Sequence, residues 1–142
     1  MATKRPICHY SGLLQELSEG DTISRALFLF EGGVGISFEE TIKPADGGVY
    51  NVLLPYGMVI PADASSSLFY NKTNPTATAL VSIEDDGTEI VTLSVSTAGV
   101  ATWATTSGTL KTVAENSMLS FIFPAQDSTW AGVVITLKGI RS

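Results

Sequence analysis

One cysteine and one histidine are all that this 142-residue chain offers of the two side chains most used for metal binding and nucleophilic chemistry. Cys8 has no second thiol to pair with, so no internal disulfide exists and nothing calls for an oxidising compartment. One His and one Cys cannot supply the three or four ligands of a zinc centre. A Cys-His or Ser-His-Asp arrangement would have to use His9, which adjoins Cys8, and adjacent side chains on an extended segment point opposite ways. Charge is also scarce, at 15% of residues, and its balance is acidic: 14 acidic against 8 basic residues give a net charge of -6. An acidic surface repels phosphate backbones, so no nucleic-acid partner is expected. Long apolar runs are missing as well. The run ALFLF at 26–30 is far too short to cross a bilayer, and MATKRPICHYSG does not read as a secretory leader. The expectation is a soluble chain made in the cytosol, with no membrane partner.

Carboxylates are the remaining catalytic resource. Glu39-Glu40 and Asp85-Asp86 are sequence neighbours, which diverge in strands and tight turns, whereas a hydrolase needs two carboxyls facing one another across a bond. The reading is therefore of a protein that is not an enzyme, with no catalytic residue, no metal site and no cofactor.

What the chain does have is strand rhythm. In AGVVITLKG, Val133, Ile135 and Leu137 fall on one face of an extended segment and Val134, Thr136 and Lys138 on the other. Leu119, Phe121 and Phe123 share a face in MLSFIFP, and Pro124 ends that run because it has no N–H for a ladder. Further candidate strands lie at 26–30, 34–38, 49–54, 56–60, 79–84, 88–95 and 100–104. Asp85-Asp86-Gly87 between two of them is a hairpin signal, since glycine accepts the positive φ of a primed turn. The low-hydrophobicity stretch 61–78 reads as a long surface loop.

About eight to ten short antiparallel strands with regular turn signals imply an all-β chain, a single β-sandwich or jelly roll. Residues 26–142 form that domain and residues 1–25 an N-terminal arm, extended or turn-rich despite the helix-like spacing of Leu13, Leu14 and Leu17. With 44% hydrophobic residues and a mean hydropathy of +0.27, part of the apolar surface is expected in subunit contacts. Four of the eight basic residues, Lys4, Arg5, Lys138 and Arg141, lie near the termini and would form a positive patch if the ends meet. Trp103 and Trp130 are expected in the core or at a subunit interface, where large aromatics are commonly buried.

Two stretches carry a resemblance. KRPICHYSGLLQELSEGDTI is similar to the lead-in of many tailed-bacteriophage virion proteins, and VAENSMLSFIFPAQDSTWAGVVITLKGIR resembles the closing strands of phage jelly-roll domains found in head decoration proteins and at tail-fibre tips. The resemblance implies a virion structural protein made in the host bacterial cytoplasm, foremost a capsid decoration or cement protein. Its partners would be the major capsid protein lattice and copies of itself, as a dimer or trimer. Its interface would use Lys4, Arg5, Ile7, Tyr10, Leu13, Leu14, Leu17 and Trp130. The alternative is a tail-fibre or receptor-binding, glycan-recognising module, with Tyr70 and Asn71 on a ligand loop.

Overall fold

The computed structural model describes residues 7–10, 13–16, 31–37, 48–125, 127 and 129–142; for the first three of these segments the description is of backbone pairing. The chain is all-β, with two antiparallel five-stranded sheets stacked in a sandwich-like arrangement and a separate two-stranded ribbon. In the ribbon, β1 (Ile7–Tyr10) pairs with β2 (Leu13–Glu16), Tyr10 standing opposite Leu13 and Ile7 opposite Glu16. Leu13 and Leu14 thus lie on extended backbone and not on a helical turn, despite their helix-like spacing. Among the described residues neither strand of the ribbon pairs with a strand of the body.

The first large sheet is organised around β12 (Val134–Arg141). One edge of β12 is paired along almost its whole length with β3 (Glu31–Ser37). Its other edge is shared: β6 (Leu68–Tyr70) pairs with Val134 to Thr136, and β5 (Met58–Ile60) with Ile140 and Arg141. In the gap between them the Lys138 amide donates to the Ser67 hydroxyl at 3.1 Å, so this backbone donor is satisfied where no strand reaches it. β10 (Lys111–Val113) completes the sheet beside β5. The second sheet runs β4 (Val49–Leu53), β11 (Met118–Ile122), β7 (Ala79–Asp85), β8 (Thr88–Val95) and β9 (Ala101–Thr105) in spatial order.

One core lies between the sheets. Val133, Ile135 and Leu137 from one side meet Leu119, Phe121 and Phe123 from the other, all of them buried as the period-two pattern expects. Each such side chain contributes about 1.5–3 kcal/mol through apolar burial. At one end Tyr50, Phe123 and Trp130 form an aromatic chain, with ring centroids 5.5 Å and 5.8 Å apart. Trp130 is 1% exposed and so sits inside the body, not on a surface that a partner could reach. Its indole N–H is buried without a hydrogen bond, a cost of about 1–3 kcal/mol that the packing of the ring must offset. Trp103 is half-buried on the inner side of β9, opposite Leu93.

The Asp86-Gly87 turn joins β7 to β8 with φ of 46° and 85°, the two-residue geometry expected from the Asp-Gly step. Beside it the ladder shifts register at Ile83/Glu84. The extra residue lets Ile90 and Val91 both face the core and turns Glu89 outward, opposite Glu84. Strict alternation would have placed Glu89 on the same side as Val91, Leu93 and Val95. The stretch read as one long loop, 61–78, is broken by a 3-10 turn at Ala62–Ala64 and by β6. The Leu68-Phe69-Tyr70 triplet pairs with β12 because that strand would otherwise leave an edge open. Candidate strand 26–30 lies outside the described residues.

Gly139 marks the tightest approach in the first sheet. A Cβ there would stand 2.8 Å from the Val59 carbonyl oxygen and collide with the Met58 side chain. Replacing Gly139→Ala is expected to cost about 1–3 kcal/mol through overpacking. The measurement is a denaturant titration, in which the midpoint should fall while the slope is unchanged; an unaltered midpoint would refute the close approach.

Candidate functional site

Two regions concentrate polar chemistry or exposed apolar surface. The first is the loop end of the body, where residues 71–78, 96–100, 124, 125, 127 and 129–132 meet. Asp127 is its centre. One carboxylate oxygen accepts from the Thr76 amide at 2.6 Å and the Thr76 hydroxyl at 2.8 Å; the other accepts from the Thr129 amide at 2.9 Å, the Thr129 hydroxyl at 2.8 Å and the Trp130 amide at 3.3 Å. The Thr129 amide and the other donors hold this carboxyl well below the usual carboxylate range, outweighing partial desolvation. A carboxylate so saturated is a poor general base and a good clamp: it ties Thr129 and Trp130 to Thr76, which is fifty-one residues from Asp127 in sequence.

Around that clamp the loops interlock. The Asn71 amide donates to Asn74 Oδ1 at 2.7 Å, and the Thr129 hydroxyl, whose proton goes to Asp127, stands 3.3 Å from the Asn74 carbonyl oxygen. Gly99, at φ 76°, presses its backbone onto the Asn74 side chain, where any Cβ would collide. Asn71, expected on a ligand loop, is thus half-buried and held by a neighbouring residue, whereas Tyr70 closes strand β6 and is 62% exposed.

The second region is the pair of outer sheet faces. On the β12 sheet, Tyr70 stands beside Val134 and Ile140 beside Val59, with Thr136 and Lys138 between these apolar pairs along β12. On the other sheet, Leu53 stands beside Met118 and Val49 beside Ile122, and the row Asn51, Ser120, Glu84, Glu89 crosses between them. Ser120 donates to Asn51 Oδ1 at 2.8 Å; Ser82 and Thr92 donate to the two carboxylate oxygens of Glu89 at 2.6 Å and 3.3 Å. The sequence reading missed both faces, because exposure of a Leu or Val is settled only by the sheet that it joins. The Glu84–Glu89 pair was hidden by the bulge.

Ile7, Tyr10, Leu13 and Leu14 fall in the β1–β2 ribbon, while Lys4, Arg5 and Leu17 lie outside the described residues. The neighbours Cys8 and His9 occupy successive positions of β1, opposite Gln15 and Leu14. Of the carboxylate pairs read from sequence, Asp86 accepts the Met118 amide at 3.1 Å and ties the β7–β8 turn to β11, and Glu39-Glu40 lies outside the described residues. Among the described residues no cluster of His, Cys, Asp or Glu is arranged to hold a metal ion, and no helix is long and apolar enough to cross a membrane.

The fold and these surfaces define an all-β, sandwich-like protein with interlocked loops at one end and apolar rows on both outer faces. Comparison with protein-family models, with curated proteins and with solved structures finds no match to this chain.

Because the Asp127 carboxyl ionises at lower pH when folded than its ordinary 3.8, its stabilisation is present above the ordinary value and is lost as pH falls through the depressed folded value. Asp127→Asn should lower stability at neutral pH by about 1–3 kcal/mol. The difference between wild type and variant should shrink as the pH drops below 3.8. Thermal melts across that range check both the size and the direction, and a difference that grows on acidification would contradict the clamp.

Proposed function

We propose that this chain is a non-enzymatic structural protein of a phage virion, a capsid decoration protein whose body is a jelly roll. The strand pairing supports the topology: β3 pairs with β12, β12 with β5 and β5 with β10 in one sheet, while β4 pairs with β11, β11 with β7 and β7 with β8 in the other. Apart from the β7–β8 hairpin, successive strands of the chain thus alternate between sheets in the interleaved order of two Greek keys, to which β6 and β9 are additions. The observation that carries the function is the apolar exterior. Leu53 is 66% exposed, Tyr70 62% and Leu68 55%, and each stands in a row on a sheet face rather than singly. Such rows are what a protein that works by fitting against other proteins must keep uncovered.

In this reading the rigid body sits on the major capsid protein lattice, and the arm, with Lys4, Arg5, Ile7, Tyr10, Leu13, Leu14 and Leu17, adds its backbone to a neighbouring sheet edge. Strand addition gives directional hydrogen bonds, and alternate side chains set register. Association of copies as a dimer or trimer multiplies weak contacts into firm attachment. The protein is made in the host cytoplasm and resides in the virion, with no nucleic acid, membrane or cofactor involved.

The test is a binding assay of the full chain and of a chain lacking residues 1–20 on particles of the phage that encodes it. Full-length protein should co-sediment with heads, and the truncation should weaken attachment by about tenfold or more. Equal binding of the truncated chain, or absence of the protein from heads, would remove this reading.

A further inference from the structure

β4 is an edge strand without the usual guards. Its five residues include no charged residue and no proline, and its register on β11 runs unbroken, so neither a lysine, a proline nor a bulge blunts it. The 3-10 turn at Ala62–Ala64 lies against β9, at the other margin of the same sheet. Among the described residues no strand pairs with the free side of β4. In the other sheet, β10 offers only three residues and starts with Lys111, while Gly32, Gly33 and Gly35 leave the register of any strand added to β3 weakly specified.

The register also fixes which backbone groups face that free side. The Gly48 carbonyl accepts from the Phe123 amide and the Leu54 amide donates to the Ser117 carbonyl, so the even-numbered positions of β4 bond to β11. Residues alternate in this respect along a strand, so the amides and carbonyls of Val49, Asn51 and Leu53 point away from the sheet. The next position of that series, Pro55, has no N–H and ends the ladder. What remains is one outward row of donors and acceptors centred on Asn51.

That row is self-complementary. A second copy, turned about a two-fold axis that passes beside Asn51 perpendicular to the sheet, sets Asn51 against Asn51 and Val49 against Leu53, and each of these pairs exchanges both backbone hydrogen bonds. On the outer face Val49 stands beside Ile122 and Leu53 beside Met118, so the seam joins each apolar pair to the other pair of the second copy. Between these apolar rows the Asn51 side chains meet. Asn51 Oδ1 accepts from the Ser120 hydroxyl at 2.8 Å and retains a second lone pair, while its Nδ2 donates to no group among the described residues, so the two amides can pair reciprocally. On the inner face Tyr50 and Val52, half-buried against the core, fall opposite Val52 and Tyr50 of the second copy in non-hydrogen-bonded pairs, where cross-strand side chains come closest.

The net charge of -6 does not oppose this contact. Counting inward from β4, the first acid on the outer face of the described sheet is Glu84 of β7. Across the seam the Glu84 side chains of two copies are five strand spacings apart, about 24 Å, well past a Debye length of about 8 Å. We infer that β4 is the seam of a symmetric dimer, two copies joining edge to edge so that their β4 sheets become one continuous sheet. The contact is isologous and closes on itself, so association stops at two. It needs neither a capsid nor the arm and stands apart from the virion reading.

Sedimentation equilibrium of the full chain tests it. Five paired residues a side are fewer than the roughly 20–30 of a standard interface, so a dissociation constant of about 10 μM to 1 mM is expected. Wild type should pass from monomer to dimer over that range and form nothing larger. Asn51→Pro, which removes an outward N–H and no bond to β11, should weaken association by about tenfold or more. Leu53→Lys and Val49→Glu should each do the same, by placing a charge against an apolar side chain. Mixed together, these two single variants should form a heterodimer in preference to either homodimer, since one end of the seam then pairs lysine with glutamate and the other keeps Val49 beside Leu53. Both substitutions in one chain should restore self-association at low salt, because the two-fold sets the lysine of each copy against the glutamate of the other. Thermal melts confirm that each variant is folded. A wild type that is monomeric at about 1 mM, or that grows beyond a dimer, would overturn the inference. So would edge variants that associate like wild type, or a charge pair that restores nothing, the last pointing to a different strand on β4.

Discussion

The fold depends on β12 being satisfied on three sides at once. Its inner face buries Ile135 and Leu137. One edge is taken by β3 and the other is divided between β6 and β5, with Ser67 accepting the Lys138 amide in the space between. A central strand with an unpaired stretch of backbone would lose about 1–3 kcal/mol per buried orphan group. The short β6 and the glycine at 139 are consequences of that requirement, since β6 fills what β5 leaves and Gly139 lets β5 come close enough to pair. Only the outer face of β12 remains, and it is there that the exposed residues Val134 and Ile140 appear.

The second sheet meets its constraint differently. Three consecutive strands, β7 to β9, pair with their sequence neighbours, so local turns fix most of the register. The bulge then resolves a conflict between burial and charge. Ile90 and Val91 both belong in the core, and an unbroken ladder would have carried Glu89 inward with Val91, at the cost of an unpaired buried carboxylate. One added residue satisfies the two apolar side chains and returns the acid to solvent.

How far the sequence disclosed this follows from the range of the forces involved. The buried sides of β11 and β12, the Asp86-Gly87 hairpin and the all-β class are legible because period-two alternation and turn chemistry are local signals. β6 and β10 are three residues long and owe their existence to neighbours far away in sequence, so no local pattern announces them. Asp127 likewise looks like an ordinary loop acid until Thr76 is brought beside it. The glutamate pair Glu84–Glu89 needs the register of β7 on β8, which composition hides behind a net charge of -6.

Edges and faces have separate uses in this architecture. β10 offers a partner only three residues of ladder, and the 3-10 turn at Ala62–Ala64 lies against β9, where the Asp63 amide donates to the Thr105 hydroxyl at 3.1 Å. Short or covered edges are how sheets avoid promiscuous pairing. Among the described residues β4 is the edge of its sheet that no such turn lies against, five residues with Val49 and Leu53 turned outward at its ends. A strand added there hydrogen-bonds in the plane of the sheet, whereas a chain stacked on the Glu84–Glu89 face approaches perpendicular to it. The two contacts draw on different groups, backbone amides and carbonyls for one and side chains for the other. The edge and the face of one sheet can therefore be occupied independently, because neither approach takes up the groups that the other uses.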